Sequence, residues 1–409
     1  MGVRSLGHDF WSFWAGQTIS NFGSSITQFA LPLLVYQLTG SALDLGIAFA
    51  AGGLPYPLFG LAIGAWTDRV DRKRLMIGTD LARAVVVATV PAAAALGVLS
   101  VTWIYVVLFV STTLSIAFDT AEFAVIPALV RQDDLVTANG RIQASFSAAS
   151  IVGPLVAGAL LAVIALPALI AVDAASFLVS AASVGIIRGA LQGRRADARD
   201  LRADIVEGLR YVLRHPVLRN ISIMMALVNF IGSSMWAQII LFAKVQYTAT
   251  DAEIGLLFSA GGIGVVVLSL AAGPLRRRWS FGVVALGSLM LGGLATVATT
   301  VVPWYGVGVV LWAMRNGLGT LFNINTGSLR QAIVPEHLLG RIRSVAAVLA
   351  WSANPLGAIA GAYAVERTGN VVLVYAVIGV ATFLIPLYFY LFSPLGHAER
   401  YTTPLAEPA

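Results

Sequence analysis

Residues 61–80 read LAIGAWTDRVDRKRLMIGTD. Six charged side chains, Asp68, Arg69, Asp71, Arg72, Lys73 and Arg74, fall within seven positions. The stretch before them, 45–67, carries no charge, and only Asp80 and Arg83 interrupt 75–118. About 20 apolar residues in a helix cross the roughly 30 Å of a bilayer's hydrocarbon. The charged cluster therefore reads as a short loop between two membrane spans.

The same pattern extends over the whole chain. Of 409 residues 58% are hydrophobic and 11% charged, against roughly 25% charged in an ordinary soluble domain. Mean hydropathy is +0.84. A soluble globule has too little interior for so much apolar surface, and disorder is excluded for the same reason. No Cys is present, which removes disulfides, thiolate metal sites and cysteine nucleophiles. His8, His215, His337 and His397 all lie outside the apolar runs, so no metal site is expected. There is no HExxH, no GxSxG and no His cluster, so an enzyme is not expected.

Apolar runs near 11–37, 42–66, 75–98, 101–126, 140–164, 166–187, 219–246, 252–273, 281–301, 304–328, 343–365 and 370–393 predict twelve spans. Residues 1–9 are polar and no cleavage site follows, so the first span is expected to be retained. Of the 26 Lys and Arg, all but Arg83, Lys244, Arg315 and Arg367 fall on one side of this layout. That asymmetry makes both termini cytoplasmic. It also explains the net charge of +6 by the membrane surface and not by nucleic acid.

The longest connection, 188–218, is basic and divides the chain into bundles of six spans, 1–187 and 219–393, followed by a cytoplasmic tail, 394–409. Within the connection, Leu201, Ile205, Leu209 and Leu213 recur every fourth residue among charged neighbours. This predicts an amphipathic helix over 200–214, lying on the membrane face or against the cytoplasmic ends of the spans and ended by Pro216. The two halves repeat: Gly140-Arg141-Ile142 after an acidic loop matches Gly340-Arg341-Ile342, and a small-residue span with Pro beside Gly follows each. Parallel six-span repeats are the mark of two-bundle transporters. The fold class expected is an all-α membrane protein with twelve transmembrane helices in two six-helix bundles.

Gly64, three residues, Asp68-Arg69 and the basic cluster ending at Arg74 resemble the loop signature of the major facilitator superfamily, in the same place between spans 2 and 3. The chain departs from it at Asp71, where the family has Gly, and at Arg277, which stands where the second-half counterpart has Asp. The resemblance implies the major facilitator fold and a cytoplasmic gate built from Gly64, Asp68, Arg69 and Arg72. Gly64 would allow close helix approach, and Asp68 would face a helix N-terminus. Glu122 would pair with Arg69 or Arg72, and Asp80 with Arg83 would support the gate. Gly140, Ala149, Gly153-Pro154 and Ala157-Gly158 in span 5 resemble the drug–proton antiporter signature, with Ala for Gly at two places; tight helix packing alone accounts for them equally.

Further stretches resemble the branch of macrolide-efflux and enterobactin-export proteins. They are Gln17 to Gln28, Asp80-Leu-Ala-Arg83-Ala, Glu207-Gly-Leu-Arg-Tyr211, His215-Pro216 and Asn323 to Gln331. The span-4 Arg of some drug antiporters is missing, since 111–119 holds none.

Ionisable groups inside spans are costly and mark function or a partner. Asp119 and Asp173 are the candidate proton sites; the alternative is a structural ion pair for Asp119, as for Glu122, and satisfaction by a neighbour for Asp173. Arg315 near mid-depth in span 10 requires a counter-charge. Gln17, Asn21, Ser24 and Gln28 share one helix face, which suggests a wet pathway. Asn21 and Gln28 on one wall, and Asn229, Trp236, Arg315 and Asn323 on the other, are the candidate substrate cavity.

The function expected is export of a small amphipathic, drug-like compound in exchange for protons. Alternatives are a dedicated exporter of a siderophore or lipid-like metabolite, which Arg315 would suit, and a membrane sensor or scaffold that transports nothing. The expected partners are a small-molecule substrate, protons and the lipid bilayer of a bacterial-type plasma membrane. No cofactor beyond the proton gradient, no nucleic acid and a monomeric state are expected.

Overall fold

Backbone groups in lipid find hydrogen-bond partners only within helices or closed barrels. The computed structural model describes residues 6–67, 69–189, 191, 201–335, 338, 342 and 348–401. Among them all regular structure is helical, and ten helices are long and apolar enough to cross a membrane. Large apolar side chains such as Val85, Phe123 and Leu270 lie exposed on the outside. Water would penalise such a surface, whereas lipid does not.

The first part of the chain forms α1 (His8–Thr39), α2 (Ala42–Gly53), α3 (Pro55–Thr67), α4 (Arg72–Ala95), α5 (Val101–Leu129), α6 (Leu135–Leu160) and α7 (Leu166–Ile186). Then come α8 (Leu201–Arg214), α9 (Pro216–Ala237), α10 (Ile239–Tyr247), α11 (Asp251–Arg278), α12 (Gly287–Val301), α13 (Tyr305–Ile333), α14 (Ala353–Thr368) and α15 (Val371–Phe392). A π-helical turn at Gly282–Leu286 leads into α12, and a 3-10 segment, Pro394–Tyr401, follows α15.

Two expected spans are each broken in two. The run 42–66 is α2 and α3, separated at Leu54, because Pro55 lacks the N–H that a continuing helix needs. The run 219–246 is α9 and α10, interrupted at the fully buried Gln238. No proline marks that break. The Tyr375 hydroxyl donates to the Met235 carbonyl at 2.6 Å beside it, so a backbone oxygen near the interruption keeps a partner away from water.

Asp71, the departure from the loop signature, is the N-cap of α4: its carboxylate accepts the Arg74 backbone N–H at 2.9 Å. Such a cap stabilises a helix start by about 1 kcal/mol. At the other departure, Glu399 of the C-terminal segment accepts the Phe281 backbone N–H and lies 3.5 Å from Arg276. The carboxylate that the second-half loop lacks thus comes from beyond the last helix.

The connection helix is present as α8. Val212 and His215 are buried and Tyr211 stacks on His215, whereas Leu213 is 51% exposed. The Tyr211 hydroxyl donates to the Ile333 carbonyl at 3.4 Å. Val212 joins Val217, Ile221 and Ile333 in one apolar cluster, while Leu213 stays on the exposed face of the helix. The side chains of 201–205 lie outside the described residues.

Contacts divide the chain into two compact units: Met1–Asp44, Ala51–Asp197 and Asp251–Ser259, and Leu45–Ala50, Ala198–Thr250 and Ala260–Ala409. In the first, α1 packs on α6 and α7, and α4 on α5 and α7. In the second, α9 packs on α14 and α15, and α12 on α13 and α15. Counted by span within its half, each unit joins first to fifth and sixth, and third to fourth and sixth. The repeat seen in sequence is therefore a repeat of packing. Small residues make its first-to-fifth contact in both units, Gly153 against Ser25 and Gly357 against Ser233.

Candidate functional site

The first unit concentrates the charged groups. One helical turn puts Asp80 and Arg83 on the same face of α4, where they pair directly. Both are buried. Ser180 of α7 donates to the other Asp80 oxygen at 2.6 Å, and the Gln17 amide of α1 donates to Ser180 at 2.8 Å. Arg83 also donates to Ser115 of α5 at 3.3 Å. The rings of Phe118 and Phe177 lie 4.5 and 4.4 Å from the guanidinium carbon. A buried cation placed over ring faces gains about 2 kcal/mol or more. Four helices thus close on one ion pair.

Asp173 of α7 is 2% exposed and accepts Ser24 at 3.3 Å and Ser176 at 3.2 Å. Gly23 permits this closeness: a Cβ there would stand 2.8 Å from the Asp173 carboxylate. Asp119 is exposed on α5 and Glu122 half-buried one turn on. The Arg83 charge acts on Asp119, Glu122 and Asp173 alike.

The polar stripe of α1 divides. Gln17 and Ser24 face α7 and are satisfied inside the unit. Asn21 is half-buried and Gln28 exposed. The expected single wet face is therefore two faces, one of them structural, because α7 supplies Ser180 and Asp173 as partners.

In the gate loop, Arg69 is exposed and Arg72 donates to the Ala124 carbonyl of α5 at 3.2 Å, two residues from Glu122. Lys73 donates to the Gly185 and Ile187 carbonyls at 3.0 and 2.5 Å, satisfying the C-terminal end of α7. Among the described residues no atom lies within 4 Å of where a Gly64 Cβ would stand, so the close approach expected at Gly64 is not made. Asp68 lies outside the described residues.

In α6, Gly153 meets Ser25 of α1. A Cβ on Gly158 would stand 3.2 Å from Ala252 and Gly255, in the stretch of α11 belonging to the same unit. The Pro154 carbonyl crowds the Cβ position of Gly255. The small residues of the antiporter-like span are thus contact surfaces on two sides.

The second unit holds a cavity of about 400 Å³. Asn229, Trp236, Arg315 and Asn323, expected as cavity residues, all line it. Asn21 and Gln28 do not. The Asn229 amide donates to the Ala350 carbonyl at 2.9 Å. Trp236 meets Trp312 edge to face at 5.1 Å, and Arg315 lies 5.6 Å from the Trp312 ring centre. Gly232 and Gly292 leave room beside Arg315: Cβ atoms there would stand 3.7 and 3.9 Å from its side chain. No acidic residue lines the cavity, and among the described residues none pairs with Arg315.

Sequence reasoning missed Ser180, Phe118 and Phe177 around Arg83, and Asn316, Thr320 and Asn354 in the cavity. Asn354 carried a signal, since it precedes a Pro in the repeated span. The aromatics carried none, because an apolar helix is full of them.

Residues 13–358 match the profile of the Major Facilitator Superfamily. The chain is 30% identical over 367 residues to macrolide efflux protein A of Streptococcus pyogenes, covering 88% of this chain and 90% of that one. It is 31% identical over 356 residues to the multidrug efflux pump Tap of Mycolicibacterium fortuitum, covering 82% and 84%. The crystal structure of the nucleoside transporter NupG shares the fold, with a TM-score of 0.78 at 12% identity over 94% of this chain and 99% of that one. With ten apolar helices, a packing repeat and a profile match over most of its length, this multi-pass membrane protein belongs to the Major Facilitator Superfamily.

Proposed function

We propose that the chain is a twelve-span exporter of a small amphipathic compound, driven by proton exchange, in the plasma membrane of a bacterium. α1 and α13 complete the count beside the ten apolar helices. Their polar residues, among them Gln17, Asn21 and Gln28 in one and Arg315, Asn316 and Asn323 in the other, lower their hydropathy. The protein acts as a monomer with both termini in the cytoplasm. The bundles are 1–187 and 219–393, joined by the 188–218 connection.

The observation that carries this reading is the cavity walled by Asn229, Trp236, Arg315 and Asn323, in a chain similar to efflux proteins for macrolides and multiple drugs. An apolar pocket with a few polar groups is the usual form of a small-molecule site. Export then requires the cavity to open to each side in turn. Asp68, Arg69 and Arg72 latch the cytoplasmic side with Glu122, the Asp80–Arg83 pair holds α4 in place beneath them, and Gly64 sits at the loop's hinge.

Asp119 and Asp173 exchange the proton. Both are carboxylates in spans, both feel Arg83, and protonation of either changes the charge balance about that cation. A ligand or proton shifts the two access states only by binding one of them more tightly.

Flux in liposomes tests the reading. Vesicles holding the purified chain are expected to move at least one of a macrolide, ethidium and 2-naphthoate, and only under a pH gradient. Movement of none, under any gradient, would favour the non-transporting alternative. A dedicated exporter of a siderophore or lipid-like metabolite is the second reading, favoured by Arg315, which pairs with no acidic residue among the described residues.

A further inference from the structure

The halves differ in the sign of the charge they carry at depth. Asp80, Asp119, Glu122 and Asp173 lie in first-half spans. Between residues 216 and 392 the acidic residues are Asp251, Glu253, Glu336 and Glu366. Asp251 and Glu253 begin α11, Glu366 falls in the last turn of α14, and Glu336 lies outside the described residues. Arg315 in the middle of α13 therefore has no carboxylate of its own helix layer to meet.

A cation taken out of water without a partner is costly, and chains avoid it. Here it is kept, and room is kept beside it by Gly232 and Gly292. The remaining polar side chains of the cavity are the amides of Asn229, Asn316, Asn323 and Asn354 and the hydroxyls of Ser233, Ser288, Thr320 and Thr382. Asn229 and Asn316 spend their NH2 groups on the Ala350 and Trp312 carbonyls. Asn323 and Asn354 line the same cavity. Among the described residues the only charged one in the lining is Arg315, and Trp236 provides an aromatic wall.

We propose that the cavity seats an organic anion, a carboxylate or sulfonate joined to an aromatic or amphipathic body, with its charge on Arg315 and its ring against Trp236. A guanidinium takes a carboxylate through two parallel hydrogen bonds. Asn323 and Asn354, in the same lining, carry further N–H donors. The cavity volume of about 400 Å³ lies in the ordinary range for small-molecule sites. This assignment rests on the export reading above, and it narrows the cargo class to acids.

The test uses three probes of equal size: 2-naphthoate, the neutral 2-naphthamide and the cationic 2-naphthylmethylammonium. Their binding to the full chain in zwitterionic nanodiscs is read by ligand-observed NMR, with empty nanodiscs subtracted. The wild-type chain is expected to bind the carboxylate at least about tenfold more tightly than either analogue, one charge-assisted pair's worth. Arg315→Gln brings the carboxylate down to the level of the amide and leaves the amide unchanged, and Arg315→Lys retains part of the preference. Equal or tighter binding of the ammonium to the wild-type chain overturns the proposal, as does an Arg315→Gln variant that binds the amide and loses nothing for the carboxylate. The wild-type comparison decides even where a variant does not fold. Displacement of naphthoate by phosphatidylglycerol in the nanodiscs also overturns it, because the anion would then be a lipid head group. Binding is measured without flux, so a chain that prefers the carboxylate and transports nothing refutes the export reading and leaves this one standing.

Discussion

Ser180 donates its hydroxyl to the Asp80 carboxylate at 2.6 Å, across 100 positions of sequence, and so ties the sixth span of the first unit to the charged pair on the third. With Arg83 on the other carboxylate oxygen and Gln17 behind Ser180, each oxygen of the buried Asp80 has a donor. A buried ion pair held this way resists loss of one partner far more than loss of both.

Asp80→Asn or Arg83→Met alone is expected to destabilise the purified protein by about 3–5 kcal/mol, and the double variant to recover most of that. Ser180→Ala costs about 1.5–3 kcal/mol, the worth of a hydrogen bond to a charged group. Thermal unfolding in detergent measures all four. Additive losses in the double variant would mean that the two residues act separately.

Asp71→Ala removes the cap of α4 and is expected to cost about 1 kcal/mol, whereas Asp71→Gly is expected to cost less. The family's Gly at this position is thus compatible with the same helix start. Equal losses for Ala and Gly, read in the same melts, would deny the carboxylate its capping role.

Glu399 holds the C-terminal segment through the Phe281 N–H and Arg276. Glu399→Gln keeps an acceptor and loses only a partly exposed ion pair, worth at most about 1 kcal/mol. Glu399→Ala loses both contacts. Limited proteolysis is expected to release the segment past Phe392 faster in the Ala variant and at the wild-type rate in the Gln variant.

Trp236→Ala removes the aromatic wall of the cavity, an interaction of about 0.5–1.5 kcal/mol beyond its area. The half-saturating substrate concentration for export is expected to rise up to about tenfold. Gly232→Leu places a side chain where Arg315 lies 3.7 Å from the Cβ position, and is expected to abolish binding while the melting temperature stays near wild type.

The membrane class and the two halves were legible in the sequence because hydropathy and charge placement are one-dimensional signals. So was the Asp80–Arg83 pair, whose spacing is one helical turn. The break at Pro55 carried a proline, and the break at Gln238 carried nothing, because it depends on Tyr375 reaching Met235 from another helix. Leucine spacing predicts an amphipathic helix at α8 but does not show that Val212 joins Val217 and Ile333, which is a contact made across the fold. Asn229, Trp236, Arg315 and Asn323 stood out in the sequence because polar groups in apolar helices do, and all four line the cavity of the second unit. The stripe on α1 gave no sign that Gln17 and Ser24 meet α7, because a shared face does not say which neighbour each residue meets.

Proton exchange coupled to export is the central claim, and proton movement in liposomes tests it most directly. An entrapped pH dye is followed while a macrolide or 2-naphthoate is carried across by the purified chain. The account predicts proton movement opposite to the compound, seen only when both are mobile, and lost in the Asp119→Asn, Asp173→Asn double variant. Transport that continues with no change of internal pH, or a double variant that exchanges protons at the wild-type rate, would contradict it.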